Sequence, residues 1–362
     1  MSASPFLTPD QSRLRRQRSD RRRRRNRVVG LCVLAAVIAA GVILAVSLHG
    51  GSSSRSGAAK RAKSPGTALA ATAPARSPAG LLLSKPALAL SGISTPASDP
   101  IQLRFRHPPR AGILFDLTTG RVLWQRNAYR HVEIASLTKM MTALLTVRSA
   151  PPNGHVLVTK AAVDSNGSKV GVLPLGKHVR VESMLYGLLL PSGNDAAVAL
   201  AEHVAGSIKA FVERMNTEAA RLGMGCTRYS SPSGYFDKGN YSCAADLAIL
   251  AHIDEAQPRI ARVVHTYSAV LPFPIKGGKL YLYNNNPLLI YKYPGVTGLK
   301  TGFTLAAGRC LVATAERGGV RLGAVILNSN APGVQAKQLL DRGFEQVYHL
   351  KRVPEPEIPP GA

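Results

Sequence analysis

From Val28 to Leu48 the chain reads VVGLCVLAAVIAAGVILAVSL, without one charged residue. As a helix such a run spans about 30 Å, the thickness of the hydrocarbon layer of a membrane. What precedes it points the same way: residues 13–27, RLRRQRSDRRRRRNR, are nearly all arginine or polar and cannot build a core. A cationic flank before the first apolar segment keeps the N-terminus in the cytoplasm and places everything after His49 outside. The run is longer than the usual core of a cleaved secretory signal, although the Ala-rich tract behind it leaves late processing open.

This segment divides the chain. Residues 1–27 are expected as a cytoplasmic basic tail and 28–48 as a single-pass signal-anchor in the cytoplasmic membrane. Residues 49–97, rich in Ser, Ala, Gly and Pro as in KSPGTALAATAPARSPAG, are expected as a flexible extracytoplasmic linker. A folded domain over 98–350 and a proline-rich tail over 351–362 complete the chain. Much of the formal charge of +26 comes from the arginine tail, so it says little about the folded part. No zinc-finger spacing or RNA-recognition signature follows, which excludes a recognisable nucleic-acid module; anionic lipid headgroups are the simpler partner for the arginines.

Within 98–350, AGILFDLTTGRVLWQRNAYRH predicts a hairpin with Asp116 to Gly120 at the bend. IASLTKMMTALLTVRS then switches to helical periodicity, with Leu137, Met140, Met141, Leu144 and Leu145 on one stripe and Ser136 and Lys139 in its first turn. VESMLYGLLLPSGNDAAVALAEHVAGS predicts two helices broken at Pro191–Asn194, with Asp195 near the start of the second as a capping and loop-supporting residue. KAFVERMNTEAARLGM predicts another helix, and CAADLAILAHI one more with Ser242 as N-cap. The last third predicts three antiparallel strands across GVTGLKTGFTLAAGRCLVATAERGGVRLGAVILNSN and a closing helix in QAKQLLDRGFEQVYHL. Early and late strands should share one sheet, because a lone hairpin is marginal in water. A helical lobe inserted between them leaves a cleft at the junction.

Three short motifs converge on that cleft: SLTK at 136–139, SGN at 192–194 and KTG at 300–302. A serine hydroxyl is a weak nucleophile until a base takes its proton, and a lysine one helical turn away is placed to do so. In this order the three motifs resemble the S-x-x-K, S-x-N and K-T-G set of penicillin-binding proteins and serine β-lactamases. The wider wording, in IASLTKMMTALL, LLLPSGNDAAVALAEHVAGS, SPSGYFDKGNYSCAADLA and YPGVTGLKTGFT, resembles the D-alanyl-D-alanine carboxypeptidases, the low-molecular-mass penicillin-binding proteins of serine peptidase family S11. The resemblance covers about residues 100–350.

It implies an α/β fold of α+β type, the penicillin-binding-protein and serine β-lactamase-like transpeptidase fold, with an antiparallel sheet flanked by helices and a helical lobe. It also implies a serine carboxypeptidase that removes the terminal D-alanine of peptidoglycan stem pentapeptides, with β-lactams as covalent inhibitors and no cofactor. Ser136 would be the nucleophile, Lys139 the neutral base and Ser192 the proton relay to the leaving nitrogen. Asn194 would orient Lys139 and bind the substrate amide, and Lys300 and Thr301 would receive the terminal carboxylate. Gly302 would keep the strand bare for substrate backbone, and the backbone N–H groups of Ser136 and Phe303 would form the oxyanion hole. Glu133 precedes the nucleophile and is no equivalent of a separate deacylating glutamate, which predicts slow release of β-lactams. The motifs leave open a D,D-endopeptidase acting on crosslinks, and a catalytically weak, membrane-tethered peptidoglycan-binding or penicillin-sensing domain.

SPSGYFDKGNYSCAADLA departs from the family pattern at Asn240, where many members carry histidine, and at Cys243, where they carry a small polar residue or threonine. Of the four cysteines, Cys32 lies in the apolar segment; Cys226 and Cys243 flank the SSPSGYFDKGNYS loop and are expected to pair outside the cytoplasm, with Cys310 a buried strand residue. His131, His178, His203, His252 and His265 have no metal-ligand spacing, so no metal site is expected. The sequence specifies no oligomeric state.

Overall fold

The computed structural model describes residues 75–93, 98–235, 238–351 and 353–354. The basic tail and the apolar segment 28–48 lie outside the described residues, as do much of the linker and most of the proline-rich tail. Among the described residues no helix is long and apolar enough to cross a membrane.

The domain opens with strands β1 (Ala111–Asp116), β2 (Val122–Arg126) and β3 (Val132–Glu133), a 3-10 turn (Ala135–Thr138) and helix α1 (Lys139–Ser149). A largely helical middle follows: β4 (His155–Leu157), α2 (Lys160–Asp164), β5 (His178–Arg180), α3 (Val181–Leu189), α4 (Asn194–Ala205), α5 (Ile208–Arg221), β6 (Tyr241–Ser242), α6 (Ala244–Glu255) and α7 (Pro258–His265). Strands return with the hairpin β7 (Ser268–Pro272) and β8 (Lys279–Tyr283). Then come the one-turn α8 (Pro287–Ile290), β9 (Val296–Thr304), β10 (Gly308–Arg317), β11 (Val320–Ser329), α9 (Pro332–Arg342) and a π-helical turn, Gly343–Val347.

Early and late strands do share one sheet, in the order β2-β1-β11-β10-β9 with every pair antiparallel. Its central strands read as unbroken apolar runs because both faces are covered. Leu114, Leu311, Ala324 and Ile326 pack against Leu339, Leu340 and Phe344 at the end of the chain, whereas Ile113, Phe115, Val312 and Val325 face the helical lobe. The bend of the first hairpin is set by Asp116, whose Oδ1 accepts the N–H groups of Thr118 and Thr119 at 2.8 and 2.7 Å, before Gly120 takes a φ of 74°. The single stripe expected on α1 understates its burial. Met140 to Leu144 are all buried, because α3, α4, α6 and α7 surround the helix.

Two expectations are corrected. The N-cap of α6 is Cys243, not Ser242, whose hydroxyl instead lies 2.8 Å from that of Thr227. And the expected linker does not run freely to residue 97. Ser84 and Ala87 donate backbone hydrogen bonds to the carbonyls of Ala220 and Leu222 at the end of α5, Ser91 and Val122 bond across to the first hairpin, and Leu88 is buried. Composition alone concealed this, because the segment is held mainly by backbone bonds and by Gly223, where a Cβ would lie 2.6 Å from the Cα of Pro86.

Candidate active site

β9 is an edge strand of the sheet, and its free side faces the 3-10 turn that carries Ser136. The approach is close: a Cβ on Gly302 would lie 2.9 Å from the Ile134 carbonyl oxygen and 3.1 Å from the Ser136 nitrogen. Glycine is therefore needed at 302 for the strand and the backbone of the Ser136 turn to meet, while Gly302 also lines the adjoining cavity. The turn is strained on its other side as well, since Ala135 holds a left-handed φ of 48°. Gly234, itself at φ 72°, sits beneath it, with its would-be Cβ 2.0 Å from the Ala135 carbonyl oxygen.

From this turn Lys139 begins α1 and points inward, with no exposed surface. Its Nζ lies 2.9 Å from Ser136 Oγ, 2.6 Å from Asn194 Oδ1 and 2.8 Å from the Ser233 carbonyl oxygen. Burial, reinforced by the charge of Lys300 and opposed by Asp195, holds this amine well below the ordinary lysine range. A neutral amine has two protons and one lone pair. The Asn194 amide oxygen and the Ser233 carbonyl can only accept, so they take the two protons. The lone pair is then left for the one neighbour that has a proton of its own to give, the Ser136 hydroxyl. This is the geometry of a base poised on a nucleophile.

The supporting oxygens are held from behind. Asn194, the first residue of α4, donates its amide NH2 to the Asn166 carbonyl at 2.5 Å, which fixes the oxygen toward Lys139. Asp195 accepts from the backbone N–H groups of Val170, Gly171 and Ala196 at 2.8 to 3.0 Å, and so pins the neighbouring loop as a structural residue. The Ser233 loop is tied to α1 by Thr142, whose hydroxyl donates to the Pro232 carbonyl at 2.6 Å. Asn240 adds a second tie, its amide donating to the Thr138 hydroxyl at 2.8 Å. A disulfide between Cys226 and Cys243, with Cα atoms 5.6 Å apart, brackets this loop; Cys310 is buried in β10, its Sγ 3.6 Å from the Ala307 carbonyl oxygen.

Ser136 opens onto two adjoining cavities. One, of about 530 Å³, is lined by Ser192, Thr301, Gly302, Phe303 and Arg309 among others. The second, of about 550 Å³, is lined by Gly167, Ser168, Asn194, Tyr235 and residues 303–306. Ser192 enters the first from the break between α3 and α4. Its φ is 66°, a left-handed value for a non-glycine residue, and its buried hydroxyl has no hydrogen-bond partner among the described residues. An orphaned hydroxyl facing a cavity is free to serve a ligand. Lys300 is 1 % exposed and lines neither cavity; its Nζ donates to the Thr301 carbonyl at 2.9 Å, and burial pushes its pKa down to about 7. The structure thus brings Ser136, Lys139, Ser192, Asn194, Thr301, Gly302 and Phe303 to one cleft, with Lys300 behind its wall. Sequence reasoning missed the Ser233 carbonyl, Gly234, Asn166 and Arg309. Of these only Gly234, a glycine within S-P-S-G, gave a local signal.

Comparison with known proteins identifies the family. The family profile Peptidase_S11, D-alanyl-D-alanine carboxypeptidase, matches residues 99–331. The chain is 35 % identical over 248 residues to the D-alanyl-D-alanine carboxypeptidase DacF of Bacillus subtilis, covering 66 % of this chain and 63 % of that protein. It is 36 % identical over 245 residues to DacB2 of Mycobacterium tuberculosis, covering 66 % and 82 %. The match thus spans a little under two thirds of DacF, and 61 % of DacC of Escherichia coli. Among solved structures, the Streptomyces K15 DD-transpeptidase superposes with a TM-score of 0.63 at 31 % identity, over 67 % of this chain and 99 % of that one. The Mycobacterium tuberculosis D-alanyl-D-alanine carboxypeptidase superposes with a TM-score of 0.63 at 30 % identity, over 72 % and 98 %. These share the penicillin-binding-protein fold, and with the profile spanning most of the domain the chain belongs to the S11 peptidase family of D-alanyl-D-alanine carboxypeptidases.

Proposed function

We propose that the protein is a serine D-alanyl-D-alanine carboxypeptidase acting on peptidoglycan stem pentapeptides. The observation that carries this reading is the contact set of Lys139: a fully buried amine held between two pure acceptors and the Ser136 hydroxyl. Ser136 Oγ attacks the carbonyl between the two D-alanines while its proton passes to Lys139. The oxyanion is received by the backbone N–H groups of Ser136 and Phe303, residues that line both cavities. Lys139 returns the proton, with the Ser192 hydroxyl as relay, to the leaving nitrogen of the terminal D-alanine. Thr301 lies along the departing residue with Lys300 behind it, and Asn194 steers both base and substrate amide. Water then attacks the acyl-enzyme. Glu133 lies opposite Tyr241 in the β3–β6 ribbon and lines neither cavity, which supports slow hydrolysis and inhibition by penicillins. In this reading the segment 28–48 anchors the domain on the outer side of the cytoplasmic membrane.

The test compares wild type with Ser136→Ala on a defined pentapeptide and with a fluorescent penicillin. Wild type should release D-alanine and form a lasting adduct, and the variant should do neither while keeping its melting temperature. A penicillin adduct persisting in Ser136→Ala would refute the assignment. Splitting of crosslinked muropeptides in place of D-alanine release would identify an endopeptidase. Acylation without peptide turnover would identify a sensing domain.

A further inference from the structure

We propose that Arg309, rather than the lysine of the KTG motif, is the cation that receives the terminal carboxylate of the substrate. The proposal rests on the carboxypeptidase reading above and names the residue that recognises the chain end.

Three observations meet at this side chain. First, of the residues lining the cavity that holds Ser136, Ser192 and Thr301, Arg309 alone carries a full charge. Lys300 is walled off from both cavities and donates a hydrogen bond to the Thr301 carbonyl. With burial lowering its pKa to about 7, it is a poor sole partner for an anion at neutral pH. A guanidinium stays charged at any pH the protein meets and offers paired N–H groups that match a carboxylate. Second, Arg309 is exposed and anchored without being satisfied. Its Nη1 donates to the Asn330 carbonyl at 3.0 Å, and among the described residues it has no acidic partner. Third, the backbone aims it. Arg309 lies opposite Phe303 across the β9–β10 pair, and the β10–β11 register shifts between Arg309 and Leu311. Such an irregularity redirects a side chain beside a site.

The two cavities that Ser136 lines therefore differ in kind. The second is lined by Gly167, Ser168, Asn194, Tyr235, Phe303 and Leu305 with their neighbours, and none of its lining residues is charged. A peptide with one terminal carboxylate is oriented by this difference. Its end sits between Arg309 and Thr301, its scissile carbonyl at Ser136, and its body runs past Tyr235 and Leu305.

The test measures kcat/KM for a peptide ending in D-Ala-D-Ala and for its C-terminal amide, in wild type, Arg309→Gln and Arg309→Lys. Acylation rates with benzylpenicillin and its neutral methyl ester supply a second readout on the same proteins. Wild type should favour the acid over the amide by about 10- to 100-fold, the worth of a charge-assisted hydrogen bond. Arg309→Gln should lose most of that preference, and Arg309→Lys should keep part of it. A merely structural role would lower both substrates alike and leave the ratio untouched, and that result would overturn the proposal. Wild type that neither releases D-alanine nor forms a penicillin adduct would overturn the carboxypeptidase reading and this one together. An active wild type whose acid preference survives in Arg309→Gln overturns this one alone.

Discussion

Replacing Gly302 by alanine tests the contact on which the site is built. The added Cβ would stand 2.9 Å from the Ile134 carbonyl oxygen, 3.1 Å from the Ser136 nitrogen and 3.2 Å from the Leu137 nitrogen. All three are backbone atoms, so no rotamer can relieve the crowding, and strand and turn must separate by roughly 0.5 Å. Overpacking of this size destabilises by about 1–3 kcal/mol. The same displacement moves the Ser136 and Phe303 N–H groups apart, the pair assigned to the oxyanion. Losing such a donor outright costs about 3 kcal/mol in the transition state, or 100-fold and more in rate. A half-ångström misplacement should therefore slow acylation of Ser136 by about 10- to 100-fold. The assay is stopped-flow labelling with a fluorescent penicillin, run beside thermal melting to separate slow chemistry from lost fold. Gly225→Ala is the control, because its added Cβ would meet only the movable end of Leu83, at 3.2 Å. Acylation by Gly302→Ala at the wild-type rate, with unchanged melting, would show that β9 and the nucleophile turn are not packed as described.

Two further predictions concern charge and the Ser233 loop. The unfolded chain keeps the Lys300 proton up to about pH 10, whereas the folded protein releases it above about 7, so the unfolded state binds more protons in that window and stability rises with pH there. Melting temperature should climb more steeply between pH 7 and 9 in wild type than in Lys300→Met, and parallel curves would contradict the burial assigned to this amine. Asn240→Ala removes the amide that ties the loop to Thr138 and leaves a buried hydroxyl with fewer partners, at a cost of about 1–3 kcal/mol. Urea unfolding should show that loss together with slower acylation, and a change in one without the other would separate the loop from the base.

The strands and helices that carry the motifs were legible because each shows its own period: GILFD and VLWQR around an Asp-to-Gly bend, ALLTV in a buried helix, and three long apolar runs at the end. The break at Pro191–Asn194 was legible from its proline and glycine. Less visible were features held by backbone. The segment 75–93 docks through carbonyls at the end of α5, and the β7–β8 hairpin pairs short runs of mixed polarity. At the site, side chains in motifs announced themselves, but the Ser233 carbonyl that holds Lys139 belongs to a residue 94 positions away. A backbone oxygen has no letter. Gly302 was singled out for substrate, and its close approach to the turn of Ser136 went unread, since a glycine signals close approach without saying what approaches.

On the roles proposed above, the two kinds of cation at the cleft divide their work by whether they can lose a proton. In the proposed mechanism Lys139 must be neutral to accept the Ser136 proton, and burial and the charge of Lys300 favour that form against the opposing charge of Asp195, whose oxygens are engaged by three backbone N–H groups. Arginine in that place would stay charged and could accept nothing. At the rim the demand is reversed, because a carboxylate must be met by a charge that persists and still leave with the product. Buried lysine fails that demand for the same reason it suits the proposed role of base, since the environment that strips its proton weakens its hold on an anion. Exchanging the types should therefore be asymmetric. Arg309→Lys keeps a charge in an exposed position and loses only paired geometry, whereas Lys139→Arg puts a permanent charge in a pocket with no surface and removes the base altogether.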